Sequence, residues 1–360
     1  MTLRRPQIRA DGIVADDARQ DTPMTRYFCT YFDRNYLPRG LALYQSLRRH
    51  CPAFKLWVLC MDRISHEALT MLELPDVHAI ALADYERDDK ALLEAKQNRT
   101  LIEYYFTCSP SLPLFILANY HDVDLITYLD ADLFFFADPT PVFDELGDRS
   151  IGIIGHRFPA SLRGLERFGV YNVGWVSFRR NAHALACLRW WRERCLEWCF
   201  DRYEDGRFAD QKYLDDWPER FQGVAVLQHK GANLAPWNLA RYTLSTHGDN
   251  VMVDEQSLIF FHFHRLRQIE GCIYDPRLTD YKTKASSVVR RRIYAPYIRA
   301  LAEATQHVPS SLREGALRSS TRYAAGESRE HPVLRLKQWL RFLLGVLKQD
   351  YLLVLNGRVV

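Results

Sequence analysis

Short runs rich in β-branched and aromatic residues alternate along the chain with longer segments whose apolar positions recur at helical spacing. RYFCTYF at 26–32 predicts a first strand. The polar loop DRNY at 33–36 leads into a helix over 37–49, with Leu41, Tyr44 and Leu47 on one side. FKLWVLCM at 54–61 predicts a second strand, a short helix starts at Ser65 and stops before Pro75, and 77–82 predicts a third strand. A long helix is expected over 90–107, ended by Pro110 and Pro113, which open a separate segment at 114–119. Strands are expected again at 124–129, 151–154, 173–178, 224–228 and 258–263. Between them, 182–200 carries Leu185, Leu188, Trp191, Cys195 and Trp198 at helical spacing, a stripe that reads as core. Strands alternating with helices in this way predict an α/β fold.

The pattern also divides the chain. Residues 1–24 are polar and mixed in charge, with no apolar run, and read as a disordered leader ahead of a domain over 25–275. From 276 to 360 the chain turns basic, and 288–301 and 334–355 predict amphipathic helices. Arg335, Lys337, Arg341, Lys348 and Arg358 face a single acid, Asp350, within 331–360. Cations flanking an apolar face are suited to peripheral docking on an anionic membrane; packing of the same helix on the main domain is the alternative.

Composition changes this picture little. With 48% hydrophobic and 26% charged residues the chain is an ordinary globular one, and a net charge of +4 gives no ground for nucleic acid as a partner. Its eight cysteines form no CxxC and sit mostly in apolar segments, so they read as reduced thiols in a cytoplasmic protein. Cys195 and Cys199 are spaced for a metal pair on one helix face, but also as small buried hydrophobes.

The candidate chemistry lies in YLDADLFFF at 128–136. A carboxylate at the carboxyl end of a strand faces the crevice where open α/β sheets bind ligands. Two at i and i+2 on extended backbone project to the same side and repel each other in a dry site unless a cation lies between them. Mn²⁺ or Mg²⁺ is the natural occupant of such an oxygen-rich pair, Asp130 and Asp132, and a diphosphate its natural partner. Asp-x-Asp alone also arises in solvated turns, but here apolar segments pin it on both sides.

The order CTYFDRNYLPRGLALYQSL, a helix ending EYYFTCSP, then YLDADLFFFADP, YNVGW, DQKYL and FFHFH resembles the GT-A-type glycosyltransferases. It is most similar to the retaining family-eight enzymes, which include lipopolysaccharide galactosyltransferases and glycogenin, and the resemblance spans 26–270. It implies a GT-A fold, Rossmann-like with a mixed central sheet, and a nucleotide-sugar donor held by Thr30, Asp33, Asn35 and Tyr36 on the nucleoside side. Arg99 takes the place of an arginine that approaches donor sugar and phosphate; an i,i+4 pair with Glu103 is its bland alternative. Asn172 and Gly174 of YNVGW stand where the family faces the donor sugar, although Asn and Gly also make turns. Asp210 and Gln211 match the family's catalytic Asp-Gln pair, or else cap the following helix. His262 matches the histidine that completes the metal site, with His264 as runner-up on the same side of the strand and a donor contact in its own right.

One motif departs from the family. Where family eight has HxxGxxKPW, this chain has HFHRLRQIEG, with Arg265 at the glycine place, and Arg267 is the substitute for the missing phosphate-binding lysine. GANLAPWNL at 231–239 resembles the acceptor-side segment, where Trp237 offers a flat apolar face for a sugar or simply packs in the core. The expected activity is metal-dependent transfer of a sugar from a nucleotide diphosphate, UDP above all, to a glycan or glycolipid hydroxyl. The resemblance implies retention and a role in bacterial cell-surface glycan or lipopolysaccharide synthesis. A haloacid-dehalogenase-type phosphatase wants its Asp-x-Asp earlier in the fold. A sugar nucleotidylyltransferase shares fold and metal but opens with a glycine-rich loop, and CTYFDRNY at 29–36 holds no glycine. A non-catalytic nucleotide-sugar-binding protein would keep the pocket without needing His262.

Overall fold

The computed structural model describes residues 24–308, 312, 351–355 and 358–359. Strand β1 (Arg26–Phe32) leads through helix α1 (Leu37–His50) to β2 (Phe54–Cys60), and α2 (Arg63–Leu72) carries the chain to β3 (Val77–Ala81). Three helices follow, α3 (Leu82–Glu86), α4 (Lys90–Gln97) and α5 (Leu101–Asn119), before β4 (Leu125–Leu129) and the short β5 (Leu133–Phe135). After α6 (Thr140–Leu146) come β6 (Ile151–Gly155), β7 (Tyr171–Arg179), α7 (Ala182–Glu197), the single turn α8 (Trp217–Arg220) and β8 (Val224–Leu227).

Seven of these strands form one mixed sheet in the order β3-β2-β1-β4-β7-β6-β8. Strand β1 is parallel to β2 and β4, whereas β7 runs antiparallel to β4 and β6. The carboxyl ends of β1, β4 and β6 and the amino end of β7 therefore meet on one edge, the edge where α/β sheets hold ligands. Apolar side chains cover both faces. Phe28, Leu41, Leu47 and Trp175 pack on the α1 side, and Tyr104, Cys108, Leu112 and Trp191 pack beneath α5 and α7.

Three smaller sheets stand beyond this edge. Strands β9 (Leu244–His247), β10 (Asn250–Val253) and β11 (Gln256–Ser257) form an antiparallel meander, and β12 (Phe260–His262) pairs antiparallel with β5. Strands β13 (Arg267–Glu270), β14 (Ile273–Asp275), β15 (Leu352–Leu355) and β16 (Arg358–Val359) form the last. Helix α9 (Ala295–His307) closes over the β5–β12 ribbon, where Tyr297 stacks on Phe263 with ring centroids 3.7 Å apart.

The α/β architecture with a mixed central sheet is the one expected; three local readings differ. The helix expected over 90–107 is two helices, because Thr100 starts a new one with a capping box. The Glu103 carboxylate accepts from the Thr100 amide at 2.8 Å, and the Thr100 hydroxyl accepts from the Glu103 amide. Pro110 and Pro113 do not end α5 but lie inside it. Each lacks an N–H, yet both are buried against the core, and that packing outweighs the lost hydrogen bonds. The helix stops nine residues or fewer beyond them, where Arg180 donates to the carbonyls of Leu117, Tyr120 and Val123 at 2.6–2.7 Å. The third difference is at 352–355, expected as the end of a helix and found as strand β15, with Leu352 fully buried opposite Tyr274. The Asn-Gly at 356–357 between two extended runs is a hairpin signal that the helical reading passed over. The basic stretch 331–350, and with it most of the proposed membrane contact, lies outside the described residues.

Helix α1 is seated by a close contact. A Cβ at Gly40 would fall 2.2 Å from Cε1 of Phe32, whose ring is buried. Gly40→Ala is therefore expected to destabilise the fold by about 1–3 kcal/mol through overpacking. Urea unfolding checks this, and an unchanged midpoint would contradict it.

Candidate active site

The antiparallel pairing of β5 with β12 places His262 opposite Leu133, the residue after Asp132. The Phe263 amide donates to the Asp132 carbonyl at 3.0 Å and the Leu133 amide to the Asp130 carbonyl at 3.1 Å, which holds the aspartate turn against β12. As a result His262 Nε2 lies 3.0 Å from Asp132 Oδ1 and 3.6 Å from Asp130 Oδ2. One donor atom from each of the three residues lies within 4.8 Å of the others. His264 is not part of this cluster; its ring centroid is 5.7 Å from that of His262.

The donor set fits a divalent cation. Two carboxylate oxygens and an imidazole nitrogen suit Mn²⁺ or Mg²⁺. Nε2 is the imidazole nitrogen turned to both carboxylates, and His262 Nδ1 is a buried polar atom with no hydrogen-bond partner. Burial by itself would lower the His262 pKa, but the Asp132 carboxylate, through its charge and its hydrogen bond, and then Asp130 raise it above the ordinary histidine value. The two carboxylates thus favour positive charge at this point. Asp130 is raised by burial, opposed by His262, whereas His262 holds Asp132 below the ordinary carboxylate range despite its burial.

Glycine at 174 makes room for this arrangement. A Cβ there would lie 2.6 Å from Asn172 Oδ1 and 2.9 Å from His262 Nδ1. The pairing of β6 with β7 shifts register between Ile153, opposite Val176, and Ile154, opposite Asn172. Such a bulge re-aims side chains at functional edges. Here it turns Asn172 toward Gln211, whose Oε1 accepts from Asn172 Nδ2 at 3.2 Å, while Gln211 Nε2 donates to the Phe168 carbonyl at 3.1 Å. Neither Asp210 nor Gln211 caps a helix: the short helical turn after Gln211 has no side-chain cap bond.

Asp210 is buried, and burial is the main reason its pKa is pushed up to about 7; the nearby Asp130 charge adds to this, and a hydrogen bond from Ser109 opposes it. Ser109 also bonds Tyr31 at 3.1 Å, and Tyr128 donates to Asp130 Oδ1 at 2.8 Å. The rings of Tyr31 and Tyr128 are 5.6 Å apart and share a hydrogen bond. A buried hydroxyl chain therefore joins Asp210 to the aspartate pair. It was not anticipated from the sequence, because its members come from β1, α5 and β4.

The nucleoside-side residues divide. Asp33 makes an Asx-type turn, accepting from the Asn35 amide at 2.9 Å and from Tyr105 at 3.2 Å, and Tyr36 is 42% exposed. Thr30 is fully buried with no partner for its hydroxyl, and the adjacent Tyr31 faces the hydroxyl chain.

Two predicted arginines are engaged elsewhere. Arg99 donates to the Leu196 carbonyl at 3.2 Å, at the last turn of α7, and stacks over Phe200 at 4.0 Å. The i,i+4 pair with Glu103 does not form, since Glu103 is taken by the Thr100 cap. Arg267 lies on β13 with Nη2 3.1 Å from Asp275, half-exposed and paired in this structure. Trp237 packs edge-on at 5.0–5.3 Å from His262, His264 and His156 with its indole N–H unpartnered. His156, at the end of β6, was missed; the strand pattern before it was legible, its role was not. Burial lowers both His156 and His264 to about 3, so both are neutral.

No family model matches the chain. Over 282 residues it is 32% identical to YfnD of Bacillus subtilis (strain 168), an uncharacterized protein, covering 76% of this chain and 88% of that one. Over 252 residues it is 33% identical to YfnF of the same strain, also uncharacterized, covering 68% and 82%. The chain belongs to the family of YfnD and YfnF. The fold of this family member is similar to that of galactosyltransferase LgtC in complex with donor and acceptor sugar analogs, at 17% identity over 80% of this chain and 99% of that one, with a TM-score of 0.49. It is similar also to mouse xyloside xylosyltransferase 1, at 15% identity over 67% and 98%, with a TM-score of 0.45.

Two outcomes are expected of the family member described here. Gly174→Ala should displace His262 or Asn172 and weaken Mn²⁺ binding by about 10–100-fold; calorimetry showing unchanged affinity would contradict this. Asp210, raised toward 7, contributes stability that is present below its unfolded pKa of about 4 and lost as pH rises through the folded value. Asp210→Asn should therefore gain thermal stability relative to wild type between about pH 5 and about pH 8. A difference in melting temperature that does not change with pH would oppose the assignment.

Proposed function

We propose that the chain is a metal-dependent glycosyltransferase of GT-A type that moves a sugar from a nucleotide-diphosphate donor, a UDP-sugar, to an acceptor hydroxyl. The observation that carries this reading is the convergence of Asp130, Asp132 and His262 on one point of the sheet edge that also holds Asp210 and the Asn172–Gln211 pair.

Asp130, Asp132 and His262 would hold Mn²⁺ or Mg²⁺, which when bound offsets the charge that grows on a departing diphosphate. The chain's own residues do the rest. Asp33, Asn35 and Tyr36 hold the nucleoside end at the loop after β1. Asn172 and Gln211 are already linked and present amide groups to the donor sugar, so orienting it costs little reorganisation. Asp210 carries a carboxyl that changes protonation near neutrality and supports positive character at the anomeric carbon when ionised. Trp237 and the neutral His156 and His264 form the apolar wall that excludes water from this side. Retention at the anomeric carbon, a glycan or glycolipid acceptor, and a cytoplasmic site with membrane contact through 331–360 complete the proposal; they rest on the sequence resemblance.

Purified protein incubated with a panel of UDP-sugars and Mn²⁺ should release UDP and extend an added glycan acceptor. Asp132→Ala should lower turnover by on the order of 10²-fold or more while its melting temperature stays near wild type. Turnover by Asp132→Ala at the wild-type rate would remove the metal assignment, and tight Mn²⁺-dependent UDP binding with no turnover on any donor would favour a non-catalytic binding protein.

A further inference from the structure

We infer that Arg39 is the cation that binds the diphosphate of the nucleotide, an inference that rests on the reading of the site as a nucleotide-sugar site. The sequence after His262 lacks the lysine that its resemblance leads one to expect, and both arginines first considered for the role already have partners within the protein. Arg267 is paired with Asp275 and Arg99 with the carbonyls that end α7. A third nearby arginine, Arg34, is bound to Asp62 with Nε 2.5 Å from the carboxylate.

Arg39 differs from all three. It sits in the first turn of α1, directly after the Asp33–Tyr36 loop, with its guanidinium over the Tyr36 ring at 4.5 Å. Nη2 donates to the Leu266 carbonyl at 2.7 Å, which ties α1 to the segment following His262 and His264. Among the described residues no carboxylate lies within ion-pair distance of it, although it stands in the field of both Asp132 and Asp33. A guanidinium has five N–H donors in a fixed fork suited to phosphate oxygens, and the Leu266 carbonyl accounts for one. The helix that carries it is closely seated: Gly40 abuts the Phe32 ring, and the Phe135 amide donates to Ser46 Oγ at 3.1 Å, which fixes α1 against β5. Arg39 is therefore fixed between the Tyr36 ring of the nucleoside-side loop and Leu266, four residues after the metal-site His262, with donors left over for the phosphates of a nucleotide held at both. The cation that the motif after His262 lacks is supplied by α1, which this bond ties to the same segment.

The test compares UDP and uridine binding, with Mn²⁺ present, to the full-length protein and to Arg39→Met, Arg39→Lys and Arg267→Ala. Calorimetry follows UDP and ligand-observed NMR follows uridine. Arg39→Met should lose about 10- to 100-fold in UDP affinity, as removal of a charge-assisted hydrogen bond predicts, with uridine binding unchanged. Arg39→Lys should recover part of the loss, and Arg267→Ala should bind UDP like wild type. Equal UDP affinity in Arg39→Met and wild type would overturn the inference and leave the nucleotide-sugar reading standing. So would a parallel loss for uridine and UDP, or a loss in Arg39→Met accompanied by a fallen melting temperature and not recovered by lysine, because both mark a tie between α1 and Leu266 rather than phosphate binding. Absence of Mn²⁺-dependent UDP binding in wild type would instead remove both readings.

Discussion

Two carboxylates held on one side of a buried turn are unstable together unless something positive lies between them. The rest of this structure is organised around that repulsion. Leu129 and Leu133–Phe135 bury the backbone on either side of the pair, and Asp132 is buried with them, while the Asp130 carboxylate stays partly exposed toward the cleft. An imidazole from a strand about 130 residues further on is brought to 3.0 Å of one of them, and its raised pKa shows how strongly the pair attracts positive charge. Asp130 itself is raised, by burial first and by the neighbouring Asp132 charge after the opposing effect of His262.

Each supporting element serves this placement. The reversal of β7 within the sheet brings Asn172 to the same edge as Asp33, Asp130 and His156. Gly174 leaves the space that His262 and Asn172 occupy. The loop before β9 closes the far side: Asn238 donates to the carbonyls of His156 and Asn233 and accepts from the Ala235 amide, which fixes Trp237 between the three histidines. Backbone polar groups of an irregular segment are thereby satisfied where no sheet could satisfy them. The hydroxyl chain from Ser109 through Tyr31 and Tyr128 then links the Asp210 side of the cleft to the aspartates, so the environment of one carboxylate is felt by the other.

How much of this the sequence disclosed depends on whether the signal was local. The strands of the main sheet carry β-branched and aromatic runs bounded by turns, and their positions were read to within a few residues. The aspartate pair and His262 were legible because the Asp-x-Asp sits in an unusual apolar frame and the FFHFH strand repeats histidine at period two. Choosing His262 over His264 needed the β5–β12 register, which no single segment encodes. The prolines of α5 were misread because burial against the sheet, a tertiary effect, outweighs the local preference to stop. The β15 hairpin was misread because the leucines suit either period, and the Asn-Gly that decides between them was given no weight. Arg39, Arg99 and Arg267 show the same limit: an arginine's position in a motif does not reveal which carboxylate or carbonyl claims it.

Diffraction from crystals grown with Mn²⁺ and UDP, measured across the manganese absorption edge, tests the organising role of the carboxylate pair most directly. An anomalous peak within coordination distance of Asp130, Asp132 and His262 Nε2, with UDP density beside it on the side of Tyr36, is the expected result. A manganese peak elsewhere, or UDP bound with His262 still bonded to Asp132 and no ion between them, would contradict it.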